Sequence, residues 1–394
     1  MRIAYIGDFI NHGRSLQTIG TSIVILLSCL KEVQSIDVFC PEGNEEIENF
    51  ELPQKVKLYE SYKYDEPISI LRLLKIHWYN YDAVIFNVLP TGFGRKTLPN
   101  VFALVVPITL RIIFRQSNIK VIYHNSVFTN DVRTLGYNSA YDKIRSFFLG
   151  VVERTLFKNV ATFVLLNLYK KRIDDSIGKN KVHVLNGRYL EAITTLYLNK
   201  VMGAEFIETG KTDIPTILLH GSWGPQKNIE LGLMALKKLK REGVKFRLVI
   251  SGGLNHHFPE YKRKFQELLH SYSDVIDEYL GPVTEKDIMR IFLDASLLIL
   301  PYNTPGGHSG VLEQGMFFEV PIFAIDFPEY REQVAGISDV KLVSPEGFPF
   351  ALASSLESLE RTMKIHINSK IMLAKNNIIR ILEYTMDTGG RKIE

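Results

Sequence analysis

Residues 216–241 read TILLHGSWGPQKNIELGLMALKKLKR. Thr216–His220 is a short, almost wholly apolar run, the length and character of a buried strand. Gly221 and Gly224 break it. From Asn228 to Arg241 the apolar side chains Ile229, Leu233 and Leu236 recur at helical spacing, with lysines and an arginine toward the end. Strand, glycine-bearing turn and helix in that order form the repeating unit of a parallel α/β sheet. The turn also has chemistry. Glycines let a ligand approach the backbone, a helix N-terminus favours anions, and Lys227 places a mobile cation beside it. A surface lysine next to a helix start is the plainer alternative.

The unit repeats in both directions. Downstream come strand Phe246–Ser251, strand Val275–Leu280, helix Glu285–Leu293, strand Ser296–Leu300, helix Ser309–Phe318 and strand Pro321–Ile325. Upstream, strands are expected at Arg2–Gly7, Ile36–Cys40, Ala83–Val88, Ile119–His124, Ala161–Leu165 and Val182–Leu185. Helices are expected at Ser22–Leu30 and Ile68–Tyr79. The pattern pauses after Asn186–Gly187 and restarts at Pro215. This predicts an α/β chain of two doubly wound, Rossmann-like domains facing a central cleft. The first covers 1–190 and the second 205–375, with a connector near 188–214. The last helical stretch, Ser369–Tyr384, is expected to pack back across the first domain, so that 376–394 belongs with it.

Length agrees with two domains, since 394 residues is long for one. The net charge is only +4, yet residues 101–200 alone carry nine more basic than acidic side chains. Such a balance suits nucleic acid or an anionic membrane surface. No zinc-finger spacing, RNP-like aromatic motif or helix-turn-helix is present, which argues against nucleic acid. Val101–Phe114 (VFALVVPITLRIIF) is strongly apolar, but fourteen residues span about 21 Å as a helix, short of the roughly 30 Å hydrocarbon core. It reads as a buried crossover helix. Alternatively it is an apolar strip that, with Arg111, Arg115 and Lys170-Lys171-Arg172, rests on an anionic leaflet. The two cysteines, Cys29 and Cys40, cannot build a disulfide framework, and the N-terminus has no signal-peptide pattern, so a cytoplasmic protein is expected.

Two further segments add to the turn at 220–228. Ser251-Gly252-Gly253 ends a strand, a weak signal alone. Gly306–Gly315 (GGHSGVLEQG) opens a helix after a strand; Ser309 is a good N-cap, and the backbone N–H groups there can hold a diphosphate. Glu313, one turn in, is placed to accept from a ribose diol, or simply to complement the helix dipole as a solvated acid. His256-His257 reads as a loop feature, because no carboxylate or cysteine partner stands at a metal-site spacing.

Four blocks now resemble a known family: HGSWGPQKNIELGLMALKKL, RLVISGG, YLGPVTEKDIMRIFLDASLLILP and HSGVLEQGMFFEVPIFAID. Their order and separation, across about 216–334, are similar to those of the retaining glycosyltransferases of the B-type fold (GT-B; group 1, family four). The resemblance implies transfer of a hexose-like sugar from a nucleotide-sugar donor to a glycan or lipid-linked acceptor, with retention of configuration. No metal and no cofactor beyond the co-substrate are expected. Lys227 would then bind the diphosphate and Glu313 the ribose. Gly281, Pro282 and Val283 would meet the base through backbone groups, and Ser309 and Gly310 the phosphates or sugar. His308 is a candidate sugar contact. From the N-terminal half, His124 would face the donor sugar, while Gly20 and Thr21 would line the opposite side of the cleft. Two positions depart from the family pattern. Ser222 stands where an arginine is usual, and Pro305 where a second glutamate is usual, eight before Glu313. Two rivals therefore remain: a nucleotide-sugar 2-epimerase of the same fold, and a non-catalytic partner subunit. The oligomeric state is not legible.

Overall fold

In the computed structural model the apolar runs become two parallel sheets. The structure describes the chain except for residues 8, 10–14, 44–50, 89–92, 94–96, 117, 125, 130–139, 209–213, 256–257, 306, 358–363 and 384–394. In chain order the elements begin β1 (Arg2–Ile6), α1 (Ser15–Ser28), β2 (Ser35–Pro41), β3 (Val56–Tyr62), α2 (Pro67–Ile70), β4 (Ala83–Val88) and α3 (Thr97–Ile112). They continue with β5 (Ile119–Tyr123), α4 (Ala140–Asn159), β6 (Ala161–Val164), α5 (Asn167–Ile177), β7 (Val182–Val184) and α6 (Leu190–Leu198). Then come β8 (Phe206–Glu208), β9 (Thr216–His220), α7 (Ile229–Arg241), β10 (Arg247–Ser251), α8 (Tyr261–Ser271), β11 (Glu278–Gly281) and α9 (Glu285–Asp294). The chain closes with β12 (Leu297–Leu300), α10 (Gly310–Phe317), β13 (Ile322–Ile325), α11 (Pro328–Gln333), β14 (Val340–Val343), α12 (Phe348–Glu357), β15 (Lys364–His366) and α13 (Ile367–Glu383).

Contacts divide the chain into two compact units, Met1–Thr194 with Met372–Glu394, and Thr195–Ile371. The first holds a seven-stranded sheet in the order β3-β2-β1-β4-β5-β6-β7, the second a six-stranded sheet in the order β11-β10-β9-β12-β13-β14. All pairings within both sheets are parallel. Each sheet starts in its middle. β1 lies between β2 and β4, and β9 between β10 and β12, so successive crossovers depart in opposite directions. That divergence leaves a crevice at the carboxyl ends of the two central strands, the usual ligand position in open α/β sheets.

The elements follow from their residues. Ile3–Ile6 on β1 and Ala83–Phe86 on β4 are fully buried, as strands covered on both faces must be. Helix α7 buries Ile229, Leu233, Leu236 and Leu239 against its sheet, while Lys238, Lys240 and Arg241 complement the dipole in its last turn. Most of Val101–Phe114 falls in the crossover helix α3, with Ala103, Leu104, Val106 and Leu110 in the core; Leu98 and Ile112 on the helix, and Ile113 and Phe114 just after it, are exposed. No helix among the described residues is long and apolar enough to cross a membrane.

Three readings of the sequence are corrected. The helix expected over Ile68–Tyr79 stops at Ile70 and gives way to two 3₁₀ turns, Leu71–Lys75 and Trp78–Asn80. Between them Ile76 is extended, which lets Trp78 bury its ring and donate its indole N–H to the Leu73 carbonyl at 2.9 Å. Strand β3 was not anticipated; as a sheet edge it is buried only at Val56 and Tyr62, with Lys57, Tyr59 and Glu60 exposed. The stretch near 188–214 also holds structure. It carries helix α6 and strand β8, which pairs antiparallel with β15.

Candidate functional site

In the second unit three chain segments meet at the crevice between β9 and β12. His220 ends β9, and the chain folds back so that Gly221 lies against the Ser251-Gly252-Gly253 turn. The Gly221 amide donates to the Ser251 carbonyl at 3.2 Å, and the Trp223 amide to the Gly253 carbonyl at 2.8 Å. Gly252 (φ +103) is required here, because a Cβ would stand 1.9 Å from the Gly221 carbonyl oxygen. Trp223 is buried and donates its indole N–H to the Ser251 carbonyl at 3.1 Å. The glycines thus weld the two turns together.

Pro225–Lys227 then form a 3₁₀ turn. Asn228 takes a left-handed conformation (φ +41), and α7 begins at Ile229. The turn sits against the segment after β12, where the Asn303 amide donates to the Gln226 carbonyl at 3.0 Å. Lys227 is half-buried, and its Nζ lies 3.6 Å from the centroid of the Tyr302 ring. That is cation–π range. The Tyr302 hydroxyl donates to the His220 carbonyl at 3.3 Å, which holds the ring in place. Burial pushes the Lys227 ammonium down to about 7. Burial, with Lys227 nearby, pushes His220 down to about 4, so its imidazole is neutral; its Nδ1 lies 2.7 Å from the Ser251 hydroxyl.

The third segment opens α10. Ser309 is the N-cap, its hydroxyl accepting from the Leu312 amide at 3.3 Å. Glu313 is buried, which removes the reading of a solvated first-turn acid. Its Oε1 accepts from Gln333 Nε2 at 3.1 Å and lies 3.3 Å from His308 Nε2. Gln333 also accepts from the Ser309 amide at 3.1 Å, so one side chain from α11 braces both the cap and the carboxylate. His308 Nδ1 is buried and has no hydrogen-bond partner among the described residues. Gly281, with φ +64, ends β11; Pro282 and Val283 follow it, exposed and half-buried. Among the described residues no group of three or more His, Cys, Asp or Glu could hold a metal ion, and His256-His257 lie outside them.

The structure therefore places Lys227, Gly281, Pro282, Val283, His308, Ser309, Gly310 and Glu313 on one edge of the second unit's sheet. His124, Gly20 and Thr21 belong to the first unit. His124 follows the end of β5, buried, with Nε2 at 2.6 Å from Asn87 Oδ1 at the end of β4. The Nδ2 of Asn87 is buried without a hydrogen-bond partner among the described residues. Gly20 and Thr21 are both buried, and α1 begins five residues before Gly20, at Ser15, rather than at Gly20.

Sequence reasoning missed four side chains. Tyr302 and Asn87 act between neighbouring strands, and Gln333 acts from α11 onto α10. The fourth, Glu153 on α4, is buried behind His124. It accepts from the Tyr123 hydroxyl at 2.6 Å, from the Ser126 hydroxyl, and from the Val127 amide at 3.1 Å. One carboxylate thus ties down the turn on both sides of His124. Burial raises it to about 7 despite these donors.

Residues 214–361 match the family model described as Glycosyl transferases group 1, a span that takes in most of the second unit. The resemblance to group 1 glycosyltransferases thus lies in that unit. The whole chain is similar in fold to solved two-domain enzymes. Sucrose-phosphate synthase from Thermosynechococcus elongatus is 14% identical, with 98% of this chain and 94% of that one covered and a TM-score of 0.64. HepE from Anabaena, in complex with UDP and glucose, is 13% identical with 98% of each covered and a TM-score of 0.61. UDP-GlcNAc 2-epimerase from Methanocaldococcus jannaschii is 15% identical, with 98% and 100% covered and a TM-score of 0.55. None of the curated proteins matches the chain in sequence. The chain has the GT-B architecture.

Proposed function

We propose that the chain transfers a sugar from a nucleoside-diphosphate sugar to a glycan or lipid-linked acceptor, with retention of anomeric configuration and without a metal. The observation that carries this reading is the convergence of Lys227, the amide-rich start of α10 and the buried Glu313 on one sheet edge, within the unit that resembles group 1 glycosyltransferases. Bound UDP in HepE, a protein of the same fold, supports a nucleotide donor here.

The chemistry breaks the bond between the sugar's anomeric carbon and the diphosphate and forms one to the acceptor oxygen. Negative charge grows on the departing diphosphate. In this reading Lys227 and the Gly310 amide stabilise it, while the Ser309 amide is held by Gln333. The acceptor proton passes to the departing phosphate on the same face, so no protein base is needed. Glu313 accepts from the ribose diol. Backbone groups of Gly281, Pro282 and Val283 meet the base, and His308 Nδ1 turns its open valence to the sugar. His124, Gly20 and Thr21 are the first unit's contributions to sugar recognition in this proposal. Ser222 and Pro305 remove a cation and a carboxylate from the family pattern, leaving Lys227 and the backbone amides with more of the diphosphate's charge.

Titration of Lys227 gives this site a pH signature. A bound diphosphate raises the ammonium above its value of about 7 in the free protein. Below about pH 7 the lysine is already charged and affinity is full. Above it, binding must take up a proton, and affinity for a nucleoside diphosphate falls by up to about tenfold per pH unit. Calorimetric titration between pH 6.5 and 8.5 checks this, and Lys227→Arg is expected to flatten the profile.

Glu313→Gln is expected to weaken nucleoside diphosphate affinity by about tenfold to a hundredfold, the range for a hydrogen bond to a charged group. Equal affinity in the two proteins, measured by the same titration, would reduce Glu313 to a packing role with His308 and Gln333. His124→Ala is expected to lower transfer about a hundredfold while nucleotide binding persists. Kinetics preserved, with a lowered melting temperature, would assign His124 to holding Asn87 instead. The test of the activity itself is product analysis with and without acceptor. Epimerised donor in the absence of acceptor would favour the 2-epimerase; binding without turnover on any acceptor would favour a partner subunit.

A further inference from the structure

Helix α4 has two apolar faces. One packs on the first unit's core through Leu156, Phe157 and Val160, with Leu149 and Val152 beside them. A surface helix of an α/β unit normally presents polar residues on the other side. Here that side carries Ile144, Phe147, Phe148 and Val151, exposed by 59, 69, 63 and 52%. Their spacing of three and four residues sets them in one stripe. Phe147 and Phe148 touch edge to face, with ring centroids 5.8 Å apart. The same stripe continues one and two turns on with Arg154 and Lys158, both exposed. Lys143 and Arg145 flank Ile144 in the sequence.

A second exposed apolar group lies on the neighbouring helix. Right-handed crossovers between β4, β5 and β6 put α3 and α4 on the same face of the sheet, and the two helices are in contact. Helix α3 ends at the exposed Ile112, and the turn after it carries Ile113, Phe114 and Arg115, all exposed. One broad side of the first unit therefore combines exposed aromatic and aliphatic side chains with basic ones. Isolated exposed apolar residues need no explanation, but a grouped stripe of large ones marks a surface that is covered in use.

We infer that the outer face of α4, extended by the end of α3, docks the protein on an anionic lipid bilayer. Charge selects this occupant. Arg154 and Lys158 continue the apolar stripe, and the sequence from 101 to 200 has nine more basic than acidic residues. A second copy of the chain offering the same face brings the same positive charge. An anionic leaflet is complementary to it, takes up the aromatic side chains at its headgroup level, and matches a face spread over two helices. The stripe also lies near the acceptor-side residue His124. A Cβ added at Gly150, in the neighbouring turn of α4, would lie 3.5 Å from Val127 and 3.7 Å from Phe128, in the turn that follows His124. The docked face thus sits beside the first unit's sheet edge. The inference does not rest on glycosyl transfer, because lipid binding is read without donor or acceptor.

The test is co-sedimentation of the full-length protein with phosphatidylcholine vesicles, with and without phosphatidylglycerol. The wild type is expected to pellet with the anionic vesicles at low salt and to be released as salt rises. F147S/F148S is expected to lose binding by about tenfold or more, with an unchanged melting temperature because both rings are exposed. R154E/K158E is expected to lose a similar factor, at roughly fivefold per basic residue removed. Failure of the wild type to pellet at low salt overturns the inference, as does equal binding by F147S/F148S. So does a wild-type dimer that F147S/F148S converts to a monomer by light scattering, which would assign the face to a second copy.

Discussion

Lys227→Ala is expected to lower the turnover of glycosyl transfer by about 10²–10³-fold, the cost of losing one preorganised group that meets charge developing in the transition state. The geometry gives the reason. The ammonium is held in a half-buried position by the Pro225–Lys227 turn and the Tyr302 ring, 3.6 Å away, so its orientation is set before substrate arrives. A preorganised cation in a partly dry site is worth more than one in water. The usual arginine is absent at Ser222, so little else in the turn at 220–228 can compensate. Folding is expected to change little, since removing Lys227 also removes the cost of burying its charge. Steady-state kinetics on the purified variant, with the folded fraction counted, is the check. Wild-type turnover would remove Lys227 from the reaction.

Glu153→Ala should produce the largest loss of stability, roughly 3 kcal/mol or more. The substitution leaves the Tyr123 and Ser126 hydroxyls and the Val127 amide buried without their acceptor, at about 1–3 kcal/mol for each unsatisfied group. Its pH dependence has a definite sign. The folded state holds the Glu153 proton to about pH 7, against 4.5 for an ordinary glutamate. The group's contribution is therefore fully present below about pH 4.5 and is lost as pH rises through 7. The loss amounts to about 3 kcal/mol across that window. Glu153→Gln should flatten this dependence. Urea unfolding followed at pH 5 and pH 8 measures both effects. A turn that carries His124 also loosens when Glu153 is lost, so transfer should fall together with stability.

The legible parts of this protein are local ones. The strand–turn–helix at 216–241, the N-cap at Ser309 and the apolar strands of both sheets announce themselves within short, continuous stretches of sequence. Helix α3 was legible as a crossover too, because its length rules out a membrane span. What escaped reading depends on which strands are neighbours. Tyr302 meets Lys227 only because β9 pairs with β12, across a gap of some 80 residues that local pattern does not bridge. Gln333 reaches Glu313 from α11, and Asn87 reaches His124 because β4 pairs with β5. Glu153 reads in sequence as one more acid on a helix; only packing turns it inward. The failed helix at Ile68–Tyr79 has the same origin, since burial of Trp78 overrides a stretch whose own spacing suits a helix.

Donor recognition, in this reading, rests on a nucleoside diphosphate held at the β9–β12 crevice by Lys227, Glu313 and the start of α10. Isothermal titration of the full-length protein with a panel of nucleoside diphosphates tests it most directly, with Lys227→Ala and Glu313→Gln titrated alongside. One-site binding of at least one diphosphate is expected, weakened about tenfold or more by each substitution. Absence of binding by every diphosphate, or binding that both variants retain unchanged, would contradict it.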